Sequence, residues 1–430
     1  MASQDDARTR PQLSFPMRLT LFVVLVCAVV LAPLVQLHFV AQMDPDTYSD
    51  LYSPWIGARA ILHRSDPYSP AVTAQIQRAI YGHALQSTDA RDPEAFVYPA
   101  FIAFPLAPFT HLPWPTVERL FACLAPFVIL ATGWAWLCFC RPGMADAGWG
   151  SLATFGVLAL LCASWPAVWG CYQRQPSIFA GAAVAVSLLL FCRGSGVRSS
   201  ILLGLATVKP QLVVLLAAWM LLAAIRLRRY RFVSGLSLTL GLLVAGAVVL
   251  VPDWIPHWIH AALAYTHSAG KISLPTFVLG PKLGLLADAA LLAGLCLQLW
   301  KLRFAPPASS AFVYSAALIL AATTCLIPAN PWLIFNNLLL VPAILILLVH
   351  RPAQALPRLF QGLAAAAVLL ALLVTPLCAA LALRFGFSTN LVMPPFLVNY
   401  LLPIPVTAAL LFLRPIEVRH ETQIVKGECC

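Results

Sequence analysis

Long apolar runs divided by short, arginine-rich connections set the rhythm of this chain. Runs of membrane-crossing length recur from the neighbourhood of Leu19 to that of Leu413, and about 20 apolar residues suffice for one helical crossing. The alternating segments of roughly ten residues that mark an outer-membrane barrel are missing. Backbone groups in lipid must bond within their own segment, so the runs are read as helices. Twelve crossings are predicted, near 19–40, 116–140, 149–169, 177–193, 200–208, 211–225, 232–251, 283–300, 310–326, 333–349, 357–380 and 397–413. The expected fold is an all-α polytopic bundle, a single integral membrane domain over 1–430. Tails 1–18 and 414–430 lie on one side, and two large loops, 41–115 and 252–282, on the other.

Two stretches break the rhythm. Between Val97 and Pro115 the chain is apolar but carries Pro99, Pro105, Pro108, Pro113 and Pro115. Proline removes a backbone donor and clashes within a helix, so a re-entrant or surface-lying segment is expected. Ser199 to Ile225 has basic clusters on both sides and must cross an even number of times. As one helix it would span only about 40 Å, too little for two full crossings. Two short helices meeting at Val208-Lys209-Pro210-Gln211 resolve this and place Lys209 part-way into the bilayer, reached from outside. An ionisable residue at that depth is a functional candidate; the competing reading is a lysine snorkelling from one long helix.

Composition agrees with the pattern. The chain is 61% apolar and 10% charged, against about 45–50% and about 25% in soluble domains. A net charge of +11 would suit nucleic acid, but its placement points elsewhere. Seventeen of the 27 Lys and Arg fall in connections on one side of the threading, among them Arg8, Arg10, Arg141, Arg193, Arg226 to Arg231 and Arg414. The positive-inside rule makes that side cytoplasmic, with both termini. Membrane lipids, and no nucleic acid, are the expected partners, in the cell (inner) membrane. The first run, about Leu19 to Val40, is too long for a typical signal-peptide core and is read as an anchoring helix. Ten of the twelve cysteines lie in or beside apolar runs, so no disulfide framework is expected.

Candidate chemistry gathers in the outer loops. Half of the sixteen carboxylates are Asp44, Asp46, Asp50, Asp66, Asp89, Asp92 and Glu94, with Glu118 just beyond. Asp50 stands before a predicted amphipathic helix. A carboxylate held at the outer interface can take a proton from a substrate hydroxyl; an aspartate there is also a favoured helix N-cap. In the second loop Asp253, His257 and His260 share a helix face with metal-ligand spacing. A wet interfacial helix accounts for them without metal, and no metal or cofactor is expected. His267, Ser268 and Lys271 are candidates to line an acceptor site.

Asp50-Leu-Tyr52, Gly57-Ala-Arg-Ala-Ile-Leu62 and Asp66-Pro-Tyr68 together resemble the first outer loop of glycosyltransferase family 87. These are polyprenyl-phosphate-mannose-dependent mannosyltransferases of the GT-C membrane fold. The likeness continues in order through Phe96-Val-Tyr98-Pro99, Gln175-Pro-Ser177 and Lys209-Pro-Gln211, and more loosely from Asn330-Pro-Trp332 through Asn336 to Pro342. It covers roughly residues 15–350, and order and spacing carry it, since each motif is short. The resemblance implies that Asp50 is the general base and that Lys209 contacts the lipid phosphate. Arg59 and Arg174 are further outer cations available to that phosphate. Tyr52, Tyr68, Tyr98, Gln175, His267, Lys271 and Asn336 are the candidates to face acceptor or sugar. Two departures bear on acceptor and donor: Arg174-Gln175 where members often have Gly-Gln, and Asn336 and Asn337 where many have an acidic residue or histidine.

The implied chemistry suits the architecture. A polyprenyl-phosphate sugar carries its own leaving group, so no nucleotide-binding fold is needed. One carboxylate and a few cations suffice to position a lipid or glycan acceptor, take its proton and steady the departing phosphate, with inversion at the anomeric carbon. The rival expectations are a transporter or lipid flippase, which needs ionisable groups near the midplane of several spans, and a family member without catalysis. The predicted spans hold almost no such groups, and charge gathers at one face.

Overall fold

The computed structural model describes residues 31, 34–39, 42, 49–86, 89, 91–141, 151–350 and 354–413. Among them every regular element is helical, apart from an isolated antiparallel bridge between Ile272 and Ala329. The segment before the first long helix folds into α1 (Tyr52–Leu62), α2 (Pro70–Tyr81) and three short turns, Ala100–Ile102, Ala103–Leu106 and Ala107–Phe109. Then come α3 (Trp114–Cys140), α4 (Ser151–Ala163), α5 (Trp165–Tyr172), α6 (Pro176–Cys192), α7 (Gly196–Ala206), α8 (Pro210–Arg226) and α9 (Tyr230–Leu250). The connection after α9 carries α10 (Trp254–Ser268). The remainder is α11 (Leu274–Lys301), α12 (Ser310–Leu326), a 3-10 run Pro331–Leu340 continuing into α13 (Val341–Val349), α14 (Ala355–Phe385), α15 (Thr389–Leu401) and α16 (Pro403–Phe412).

Among the described residues, six helical stretches are long and apolar enough to cross a membrane: α3, α9, α11, Pro331–Val349, α14 and Asn390–Phe412. The pair α4 and α5, bent by 49°, makes a seventh if counted as one span. The chain is a multi-pass helical membrane protein. Each of these stretches falls on a predicted crossing. Four other predicted crossings appear as α6, α7, α8 and α12, which have 17 residues or fewer. Seventeen residues reach only about 25 Å, short of the ~30 Å hydrocarbon core. The predicted crossing at 19–40 and the tails 1–18 and 414–430 lie mostly or wholly outside the described residues.

Burial separates inner from outer helices. In α12 every residue from Ala311 to Cys325 is buried, as expected of a helix apolar on all sides at the centre of a bundle. Elements α8, α11, α13, α16 and the Pro331–Leu340 run pack around it. The opposite holds for α9, α11 and α14, where Leu238, Leu285, Leu286 and Leu373 are each more than 60% exposed. Water does not tolerate apolar belts of that extent, and lipid does.

Local sequence explains the breaks. Ser69 caps α2 by accepting from the Val72 N–H, Pro70 opens its first turn and Gly82 closes it at φ 76°. Helices α7 and α8 are separated at Thr207-Val208-Lys209, where Pro210 cannot continue the ladder. In α11, Gly280 takes φ 78° and folds Leu274–Leu279 back on the rest of the helix. A Cβ on Gly284 would lie 2.2 Å from the Thr276 Cα, so the fold-back needs glycine there. Asp288 fastens it, accepting hydrogen bonds from the Ser273 hydroxyl (2.5 Å) and the Thr276 hydroxyl (3.3 Å).

The segment before α3 has its own core. Leu51, Trp55, Ile56, Ile61, Val72, Ile76 and Phe96 pack with Phe101, Ile102 and Leu106 of the short turns. That core rests on Val117 and Phe121 of α3, on Leu243 and Ala247 of α9 and on Trp254 of α10. Gly57 meets Phe96 so closely that a Cβ would fall 2.1 Å from the ring. Two motifs far apart in sequence thus meet through one missing methyl group.

Candidate functional site

Asp50 follows Ser49 and precedes the N-cap of α1. That N-cap is Leu51, which makes no side-chain capping bond, so the Asp50 carboxylate is not used as a cap. The segment is anchored instead to the end of α5: the Asp50 N–H donates to the Gln173 carbonyl (3.0 Å), as does the Ser49 hydroxyl (3.3 Å). This brings Asp50 beside Gln175, the N-cap of α6, and the Gln175 amide N–H donates to the Asp50 carboxylate.

From the other side of Gln175 comes Lys209. It is the N-cap residue of α8 and 8% exposed. Its ammonium donates to the Gln175 amide oxygen (2.5 Å) and to the Ser177 hydroxyl (2.8 Å). Ser177 in turn donates to the Asn336 side-chain oxygen (3.2 Å). Gln175 therefore joins anion to cation, its N–H toward the carboxylate and its oxygen toward the ammonium. Only this orientation of the amide satisfies both charges. The Tyr98 and Phe335 rings cover the ammonium at 5.4 and 5.5 Å.

A second group of charges adjoins the first. Asp92 and Glu94 are fixed by backbone anchors: Tyr81 donates its hydroxyl to the Asp92 carbonyl (2.9 Å), and Gln77 donates to the Pro93 carbonyl (2.7 Å). Tyr265 of α10 stands beside the Asp92 carboxylate, and the Lys271 ammonium lies 3.8 Å from the Tyr265 ring centroid. Burial raises the Asp50 carboxyl to about 6, against the pull of Lys209 and then Lys271. Burial also raises Glu94, to about 8, with Asp50 and Asp92 pushing the same way. Burial lowers Lys271, while Asp92, Asp50 and Glu94 hold it up.

The candidate residues divide by place. Asp50, Gln175, Lys209, Tyr98 and Asn336 form one connected cluster, and Lys271 acts on Asp50 electrostatically. Arg59 is exposed and stacks its guanidinium 4.8 Å from the Trp55 ring centroid. Arg174 pairs with Glu118 at 3.3 Å. It sits at φ 49°, the left-handed region where glycine is at ease. Tyr52 packs edge-on against Trp114. Tyr68 donates its hydroxyl to the Tyr98 carbonyl (2.8 Å), and His267 is exposed in the last turn of α10. Asn337 turns away to the Asn399 carbonyl of α15. Ser177, Asp92, Glu94 and Tyr265 join the cluster without having been singled out; for Asp92 and Glu94 the signal was the density of carboxylates in 41–115.

Two cavities flank the cluster. One of about 20 Å³ lies beneath Ser177 and Asn336, among Ile129, Leu212 and Leu339, with room for about one water. The other, about 390 Å³, opens between α2 and α10. No group of three or more His, Cys, Asp or Glu able to hold a metal exists among the described residues. His257 pairs with Asp66 (3.1 Å) instead of joining Asp253 and His260. No protein-family model, curated protein or solved structure matches the chain.

Proposed function

We propose that this membrane protein is a glycosyltransferase of the GT-C type, transferring a hexose, mannose by its resemblance to family 87, from a polyprenyl phosphate to a lipid or glycan acceptor. The observation that carries the reading is the bridge from Asp50 through Gln175 to Lys209. It sets a carboxylate and an ammonium side by side without letting them neutralise each other in direct contact. That is the pair a displacement at a sugar phosphate requires.

The acceptor O–H gives its proton to the Asp50 carboxylate while its oxygen forms the new bond to the anomeric carbon. The bond from that carbon to the phosphate oxygen breaks on the opposite face, and the phosphate leaves with the electron pair. A carboxyl raised by burial is a stronger base than an ordinary one and is still ionised at neutral pH. An ammonium has three donors; two of those on Lys209 go to Gln175 and Ser177, and the third serves the phosphate. The low dielectric around it strengthens that interaction. The face carrying the cluster is extracytoplasmic in this reading, with both termini cytoplasmic, because the basic connections lie opposite.

A transporter would need protonatable groups within several spans. Asp288 is the carboxylate that lies well inside a candidate span among the described residues, and its bonds to Ser273 and Thr276 give it a structural task. The reading is tested with Lys209→Met assayed with polyprenyl-phosphate mannose. Loss of phosphate contact raises the donor KM and lowers kcat; donor kinetics equal to those of wild type would remove Lys209, and with it the bridge, from the mechanism.

A further inference from the structure

The larger cavity contains chemistry that the displacement itself does not use. Ser69 and Thr73 of the α2 wall face His260 and Ser268 of the α10 wall, and Asp66 pairs with His257 across the same space. Tyr68, Phe96 and Tyr265 supply aromatic surface. The volume, about 390 Å³, lies in the usual small-molecule range of about 300–1,000 Å³. Among the described residues no lysine or arginine lines the cavity, so none of them offers a phosphate the fixed cation it prefers. What remains is a set of hydroxyls, imidazoles and one carboxylate around aromatic rings. Such a set gives and takes hydrogen bonds with a neutral, hydroxyl-rich ligand whose C–H faces lie on the rings.

The cavity also adjoins the charged cluster. Tyr265 lines it and stands beside Asp92. Tyr68 lines it and donates to the carbonyl of Tyr98, whose ring covers Lys209. One aromatic layer separates the two spaces. We infer that the cavity between α2 and α10 is a binding cleft for a neutral polyhydroxy group, a sugar or cyclitol, and that it holds the acceptor beside Asp50. The acceptor role rests on the transferase reading; binding of the polyol does not.

The test uses the purified full chain in nanodiscs and ligand-observed saturation-transfer NMR, without donor. The probes are methyl α-D-mannopyranoside as a free glycoside, octyl mannoside as a membrane-anchored one, and inorganic phosphate. Thr73→Trp and Ala264→Trp fill the cleft from opposite walls, and Ala71→Trp adds the same ring on an exposed part of α2 outside it. The expected result is saturation of a mannoside by wild type and by Ala71→Trp, with binding at least about tenfold weaker in both filling variants. Saturation of both mannosides identifies the headgroup itself as the ligand; saturation of octyl mannoside alone identifies a lipid-borne headgroup. Mannoside signals equal in wild type and filling variants, no signal from either mannoside, or cleft-dependent binding of phosphate would each overturn the proposal. Cleft-dependent mannoside binding by a protein that transfers no sugar would retain the cleft and sink the transferase reading.

Discussion

Replacing Gln175 by leucine removes the amide that stands between Asp50 and Lys209. The substitution keeps the approximate volume, so packing changes little, but it deletes two hydrogen bonds to charged groups. Bonds of that kind contribute about 1.5–3 kcal/mol each, a gross loss of roughly 3–6 kcal/mol. Lys209 keeps its bond to Ser177, and the two charges can move toward each other to recover part of the rest. The net expectation is a destabilisation of about 2–4 kcal/mol. The same reasoning predicts that Asp50→Asn, Gln175→Leu and Lys209→Met combined are more stable than Gln175→Leu alone, because the triple variant leaves no buried charge without a partner. Reversible unfolding of the purified protein in mixed micelles by SDS, followed by far-ultraviolet circular dichroism, measures both. A Gln175→Leu protein within about 0.5 kcal/mol of wild type, the scatter of an ordinary surface change, or a triple variant less stable than Gln175→Leu, would refute the role of the amide.

Three further outcomes follow from the same geometry. Asp50 must be ionised to act as a base and its carboxyl is raised to about 6, so kcat/KM for transfer falls about tenfold per pH unit below that value; a profile flat down to pH 4.5 would exclude the role. Glu94 is held in its neutral form when folded, near 8 against an ordinary 4.5, so its contribution to stability is present at low pH and is lost as pH rises through about 8. Glu94→Gln should therefore flatten the decline in melting temperature between about pH 5 and 8, the range between its ordinary and folded values, and an unchanged decline there would contradict the burial of Glu94. Gly57→Ala forces a Cβ against the Phe96 ring and should cost about 1–3 kcal/mol in the SDS titration, with recovery on adding Phe96→Leu; tolerance of Gly57→Ala alone would contradict the contact.

What could be read locally was read from the chain. Helices and their breaks follow from apolar runs and prolines, so Pro210, the prolines of 97–115 and the basic connections were legible. Asp50 and Lys209 were legible as candidates because a charge beside or inside an apolar stretch stands out. Their apposition was not, since it depends on Gln173 and Gln175 at the α5–α6 junction taking hold of both. Spacing left Asp50 open as cap or base; in the structure Leu51 occupies the capping position, and the base role belongs to the proposed mechanism. Arg59 and Arg174 read in sequence as further outer cations for the same phosphate. One is spent on Trp55 and the other on Glu118, distinctions that only packing makes. Asp92 and Glu94 were two acids among many until Tyr265, from the second outer loop, was set against Asp92.

The central claim is that Asp50 takes the acceptor proton during transfer from a lipid phosphate. Its most direct test gives radiolabelled polyprenyl-phosphate mannose and host lipid extract to the purified wild type and to Asp50→Asn. The two are close in shape, and the cluster's partners remain in place. The account predicts a labelled product with wild type and at least a roughly hundredfold lower rate with Asp50→Asn, in line with the loss of a general base. Transfer by Asp50→Asn at the wild-type rate would contradict it.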